Sequence, residues 1–190
     1  MLVVHPKDRT TSVLSALYEG KDANVISSNC SNKKMEHLLH HVSTQERIML
    51  LGHGSDKGLF FREDDTKDEF DKIIVGHPHA FHLRKHGGNM VGIWCHADKF
   101  ARTEGLHGFF SGMIISEESE AEEYGITATK QEILKSNTSC LDTYVGYLTR
   151  ISLYAKYHSV SKTWMLKELH YPYLTITISI TYNQKGYASN

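Results

Sequence analysis

The chain has few cysteines, no long hydrophobic run and almost no excess charge, and each shortage removes a class of function. Cys30, Cys95 and Cys140 are its three cysteines among 190 residues, too few and too scattered for a disulfide framework. No apolar run approaches the roughly 20 residues that span a bilayer. The opening Met-Leu-Val-Val-His-Pro lacks the basic and apolar regions of a secretory signal. A reducing, cytoplasmic setting is therefore expected, in which a cysteine can act as a thiolate. The formal net charge of -1 and pI of about 6.9 supply no global field for nucleic acid or an anionic membrane. Neither Gly-x-Ser-x-Gly nor a phosphate loop is present, since Gly52-His53-Gly54-Ser55-Asp56-Lys57-Gly58 fits neither. A cysteine phosphatase is disfavoured too. Six residues separate Cys95 from Arg102, none is glycine, and Asp98 among them repels a phosphate. No internal repeat is visible.

What remains is a length suited to one domain, with 40% hydrophobic residues to build its core. Apolar runs predict strands over 2–4, 24–27, 48–51, 73–75, 90–94 and 109–115, with 58–61 extending or returning from the loop before it. Helices are expected after Thr10 or Thr11 as cap, stopped at Gly20, and around Met35, Leu38, Leu39 and Val42. Further helices are expected over 79–86, 97–103, 116–124 and 129–136. The charge-rich stretch from Arg62 to Lys72 reads as an exposed connection. Strands alternating with helices argue for an α/β fold, a mainly parallel sheet with helices on both faces in a three-layer sandwich. The strands are continuous apolar runs, as burial on two faces requires. The segment 174–181 alternates strictly and predicts an extra edge strand. One domain over 1–190 is expected, with 140–190 a C-terminal extension of open packing.

In such sheets functional groups gather beyond the carboxyl ends of the strands, and two reactive side chains fall there. Cys95 follows the strand 90–94 and precedes a helix, whose N-terminal partial charge favours a thiolate. His53 follows the strand 48–51 between Gly52 and Gly54. If the two strands are neighbours, the imidazole can serve the thiol as base. The N–H groups of Gly54 and Cys95 would then bind an oxyanion. Such a dyad requires no metal or organic cofactor. His77, His79, His82 and His86 invite a metal reading, but no Glu follows as in His-Glu-x-x-His and no cysteine joins them at zinc spacing. A solvated histidine-rich segment is the preferred reading.

An apolar strand ending in His-Gly, about 40 residues, then an apolar strand ending in Cys resembles the caspase–legumain–gingipain peptidases. The likeness covers roughly residues 1–125. It implies a caspase-like fold, a cysteine endopeptidase activity and a peptide or protein substrate. By the same resemblance Arg9, after the first strand, corresponds to an arginine that binds an acidic P1 side chain, whereas Asp8 beside it would favour a basic one. Ser116 and Glu117, after the next strand of that fold, would flank the substrate cleft, and Trp94 would line it beside the nucleophile. Departures accompany the likeness. The caspase run Gln-Ala-Cys-Arg-Gly is here Ile-Trp-Cys-His-Ala, and the small residue that several relatives carry after the nucleophile is His96. The chain also resembles small bacterial proteins with Leu-Gly-His-Gly and Ile-Trp-Cys-x-Ala-Asp motifs, a likeness that brings no activity with it. The main expectation is a Cys-His hydrolase. The alternative is a non-catalytic binding or regulatory module on the same fold.

Overall fold

The computed structural model describes residues 1–112, 115–123 and 125–139, and the backbone of 169–171 and 174–176. In chain order the strands are β1 (Leu2–Val4), β2 (Asn24–Ile26), β3 (Ile48–Leu51), β4 (Gly54–Ser55), β5 (Gly58–Phe61), β6 (Lys72–Gly76), β7 (Met90–Ile93) and β8 (Gly108–Phe110). A hairpin of β9 (Leu169–Tyr171) and β10 (Leu174–Ile176) follows. The helices are α1 (Asn32–His41), α2 (Ala80–Leu83), α3 (Ala97–Glu104) and α4 (Glu118–Glu123), with a further helix over 130–139.

Five strands form one parallel sheet in the order β2-β1-β3-β7-β8. The chain steps one way from β1 to β2 and the other way from β3 onward, so the order reverses between β1 and β3. A crevice opens at such a reversal. Every residue of β1, β3 and β7 is buried, as continuous apolar strands covered on both faces must be. Alternate residues feed two cores. Leu2, Val4, Ile48, Leu50 and Met90 pack with Met35 and Leu39 of α1, Leu83 of α2 and Phe100 of α3. Val3, Met49, Leu51, Val91 and Ile93 pack on the opposite face with Leu14 and Leu17 of a 3-10 helix, Ser12–Leu17. The fold is α/β with a parallel sheet, as the sequence predicts.

Local departures have local causes. The helix expected from Thr10 or Thr11 is the 3-10 helix Ser12–Leu17, and Thr11 makes no capping bond. The segment 79–86 is not one helix: α2 is flanked by 3-10 turns at His77–His79 and Arg84–His86. Residues 58–61 return from their loop as β5, the middle strand of an antiparallel sheet β4-β5-β6 inserted between β3 and β7 in sequence. β8 ends at Phe110, short of the range 109–115. Of the expected edge strand 174–181, residues 174–176 form β10; 177–181, like most of the extension 140–190, lie outside the described residues. No described helix is long and apolar enough to cross a membrane.

Three histidines are built into the buried structure. His5 lies between the Tyr18 hydroxyl at 2.9 Å and the Thr11 carbonyl at 3.2 Å. His79 Nδ1 accepts from the Gly76 N–H, and His86 is almost wholly enclosed. Burial holds all three below the ordinary histidine pKa, against smaller raising contributions from nearby backbone groups. The folded chain therefore resists protonation that the unfolded chain accepts below about pH 6.5. Stability is expected to be complete above that pH and to fall below it, by up to about 1.4 kcal/mol per pH unit for each histidine. Urea midpoints at pH 7.5 and 5.5 measure this, and equal midpoints would count against it.

Candidate functional site

Pairing between β3 and β7 runs from Ile48–Met90 to Leu51–Ile93, and one more bond, Gly52 N–H to the Ile93 carbonyl at 3.0 Å, carries it past the strand ends. His53 and Cys95 each lie two residues beyond the Leu51–Ile93 pair. The condition that their strands be neighbours is met. β1 is the other neighbour of β3, and the loop after it delivers Asp8 and Thr10 to the same end of the sheet.

The histidine side is built around Asp8. Its Oδ2 accepts from Arg62 Nε at 2.7 Å and from a second guanidinium nitrogen at 2.6 Å. Its Oδ1 accepts from the Thr10 N–H at 2.9 Å and the Thr10 hydroxyl at 2.6 Å. Thr10 Oγ1 is also 2.7 Å from His53 Nε2, and Asp8 Oδ1 is 3.5 Å from that nitrogen. A hydroxyl has one proton. Thr10 gives it to the carboxylate, so Nε2 must be the protonated nitrogen that donates to Thr10. The tautomer follows: Nδ1 of a neutral His53 carries the lone pair. Burial pushes the Asp8 carboxyl up, but hydrogen bonds from His53 and Thr10 and the His53 charge overcome it and hold it well below the usual carboxylate range. Phe70 completes the wall, with its ring 5.3 Å from that of His53 and 5.0 Å from Arg62 Cζ. Arg62 also donates to the Lys67 carbonyl, so it is a buried anchor at the head of the otherwise exposed acidic loop.

The cysteine side rests on Trp94, whose indole is wholly buried and donates to the Ser55 carbonyl at 2.9 Å. Two glycines make room for it. A Cβ at Gly54 would lie 2.2 Å from the indole, and one at Gly92 would lie 2.8 Å from it and 2.5 Å from Phe110. Ser111 pins the Trp94 backbone, accepting from its N–H at 3.1 Å and donating to its carbonyl at 3.0 Å. Cys95 is half-exposed, and its Sγ donates to Glu120 Oε1 at 3.7 Å. His96 follows with φ of 66°, a left-handed conformation found at no other described non-glycine residue. That geometry favours a residue with little side chain, which accounts for the small residue expected here. α3 starts directly after it, with Asp98 in its first turn paired to Arg102 at 2.6 Å.

The remaining expected site residues fall in two groups. Arg9 and Glu117 form an exposed ion pair at 3.5 Å, and with Ser116 they line a cleft of about 430 Å³ that Thr10, Lys130, Leu134 and Asn137 also border. His53, Cys95, Asp8 and Trp94 do not line it. Both Asp8 oxygens are occupied by Arg62, Thr10 and His53, and the Trp94 ring faces the core, which gives Asp8 a positioning and Trp94 a packing role. Gly54 opposes Leu59 in the β4–β5 ladder, and Phe60 N–H donates to the His53 carbonyl at 2.8 Å. Antiparallel pairs alternate between bonded and non-bonded. His53–Phe60 is bonded, so the Gly54 N–H points away from β5. Of the histidine-rich segment, His79 and His86 are core residues, His77 pairs with Glu104 at 2.8 Å, and His82 packs on His40. Among the described residues no group of three or more His, Cys, Asp or Glu is arranged to hold a metal ion. Sequence reasoning missed Arg62, Ser111, Glu120 and Phe70, and read Thr10 only as a helix cap. The one available signal was Arg62, the cation that opens an acidic run.

Two substitutions test this construction. Asp8→Asn leaves Arg62 buried without its partner and is expected to cost about 3–5 kcal/mol at neutral pH. Because the Asp8 pKa is depressed in the folded chain, its stabilisation is present above the unfolded value of about 4 and is lost as pH falls through the folded value. The gap between wild-type and Asp8→Asn denaturant midpoints should thus narrow from pH 5 to pH 2.5; a constant gap contradicts the assignment. At the other site, His96→Gly relieves about 1–2 kcal/mol of left-handed strain and loses about 0.4–1 to the freer unfolded chain. A small net gain in melting temperature is expected, and a loss for His96→Val.

No family model matches the chain, and searches of curated proteins and of solved structures find no match to it.

Proposed function

We propose that the chain is a cysteine endopeptidase-like hydrolase in which Cys95 is the nucleophile and His53 the general base and acid, as in the caspase–legumain–gingipain peptidases it resembles. The observation that carries this reading is the matched position of His53 and Cys95 beyond the last residue pair of two adjacent parallel strands. The His53 tautomer supports it. With Nε2–H committed to Thr10, Nδ1 is the nitrogen able to take a proton. Asp8 acts through Thr10 on that ring and is a positioning residue.

The steps balance without a cofactor. His53 Nδ1 takes the Cys95 thiol proton as sulfur attacks the peptide carbonyl. The tetrahedral oxyanion accepts from the Gly54 N–H, turned away from β5, and the Cys95 N–H. The C–N bond breaks, His53 returns the proton to the leaving amine, and water activated by His53 then hydrolyses the thioester. The cleft beside Arg9, Ser116 and Glu117 is where a substrate peptide would lie. A second reading, a binding or regulatory module, is favoured by the thiol's hydrogen bond to a carboxylate.

Labelling of the full chain with a peptidyl acyloxymethyl ketone at pH 7, mapped by mass spectrometry, separates the two. The peptidase reading expects Cys95 to label at least about tenfold faster than Cys30 and Cys140, and His53→Ala to slow it about 100-fold or more. Equal labelling of all three thiols would sink the peptidase and leave the module.

A further inference from the structure

The contact between Cys95 and Glu120 is unexpected for a nucleophile, and its surroundings give it a purpose. Glu120 Oε1 accepts from the thiol at 3.7 Å, while Oε2 accepts from the Ser116 N–H at 2.8 Å and the Ser116 hydroxyl at 3.2 Å. The carboxylate is thereby held across the thiol by the turn that opens α4. That turn is anchored beneath by Ile115, Ala121 and Ile133, which pack together, and in front by the Arg9–Glu117 pair. We infer that Glu120 is a restraint on Cys95, keeping the thiol protonated until a peptide backbone takes the Ser116 donors and displaces the carboxylate. This rests on the reading of Cys95 as nucleophile.

Electrostatics gives the direction. A thiolate at Cys95 would form within 4 Å of the Glu120 carboxylate, and like charges at that range disfavour each other strongly in a partly enclosed site. Of the nearby charged groups, Asp98 is paired with Arg102, Asp8 with Arg62, and Arg9 with Glu117. The start of α3 favours the thiolate, and Glu120 opposes it. Ser116 borders the cleft. A carbonyl of an extended peptide lying there is the natural acceptor for its N–H and hydroxyl. Glu120 then loses the two bonds that seat it, the carboxylate swings to solvent, and the thiol proton passes to His53. Substrate binding and nucleophile activation become one event.

The test is alkylation of Cys95 in the full chain by iodoacetamide from pH 5.5 to 9.5, followed by peptide mass spectrometry. Glu120→Gln is expected to lower the midpoint of the pH–rate curve by about one unit and to speed alkylation about tenfold on its acid limb. Ser116→Ala, which removes one of the seating bonds, should shift it in the same direction by less. A midpoint that stays or rises in Glu120→Gln overturns the proposal. If that variant does not fold, the wild-type chain decides. Iodoacetate should lag behind iodoacetamide at Cys95 by several-fold more than at N-acetylcysteinamide, since Glu120 repels the anionic reagent, and an equal lag overturns the restraint. His53→Ala in the same assay separates the two ideas. Unchanged Cys95 reactivity there removes the peptidase reading without touching the Glu120 result.

Discussion

The Asp8 carboxylate is the constraint on which the site depends. It is shut in at the end of β1, its side chain 5% exposed, where an ion without partners costs several kcal/mol. Its partners come from three parts of the chain. Arg62 follows β5, so its bond to Asp8 fastens the small antiparallel sheet to the large parallel one. Thr10 comes from the loop after β1 and His53 from the loop after β3. The same carboxylate that joins the two sheets thus takes the one Thr10 proton and dictates which His53 nitrogen is basic. Architecture and proton placement cannot be altered separately here.

Trp94 does for the sulfur what Asp8 does for the imidazole, by packing rather than charge. Its indole fills the space under the Gly54 backbone and against Phe100 and Phe110, so the His-Gly loop and the strand before Cys95 rest on one rigid ring. Ser111 bonds both backbone groups of Trp94 where strand pairing ends: it accepts from the N–H and shares the carbonyl with the Ala97 N–H. The left-handed turn at His96 then redirects the chain into α3 within a single residue. Cys95 is left between a fixed strand and a fixed helix.

Sequence periodicity made the sheet legible because β1, β3 and β7 are short runs free of charged and polar side chains. It also made His53 and Cys95 legible as strand-end residues. The partners that give them meaning were hidden for a physical reason: pattern reveals elements, while long-range pairing depends on which loops the topology brings together. Arg62 stands 54 positions from Asp8 and opens a segment whose other charges are solvated. Glu120 is one acid among several in its stretch. The packing of Trp94 was legible in the sequence as well. Side chains alternate along a strand, so Trp94 shares its face with Gly92 and the first core, while Ile93 belongs to the second.

The two halves of the site are held with unequal firmness, and this bears on how they work together. The histidine half is anchored by a buried ion pair in which two Arg62 nitrogens donate to Asp8 Oδ2, and its loss would cost several kcal/mol. On the cysteine side, Glu117 of the Ser116–Glu120 turn pairs with Arg9, the side chains being 39% and 58% exposed, and an ion pair so exposed contributes about 0–1 kcal/mol. Parting Arg9 from Glu117 therefore costs little, while His53 stays held by Thr10 and Asp8. The site is thus rigid on the imidazole side and weakly held on the sulfur side.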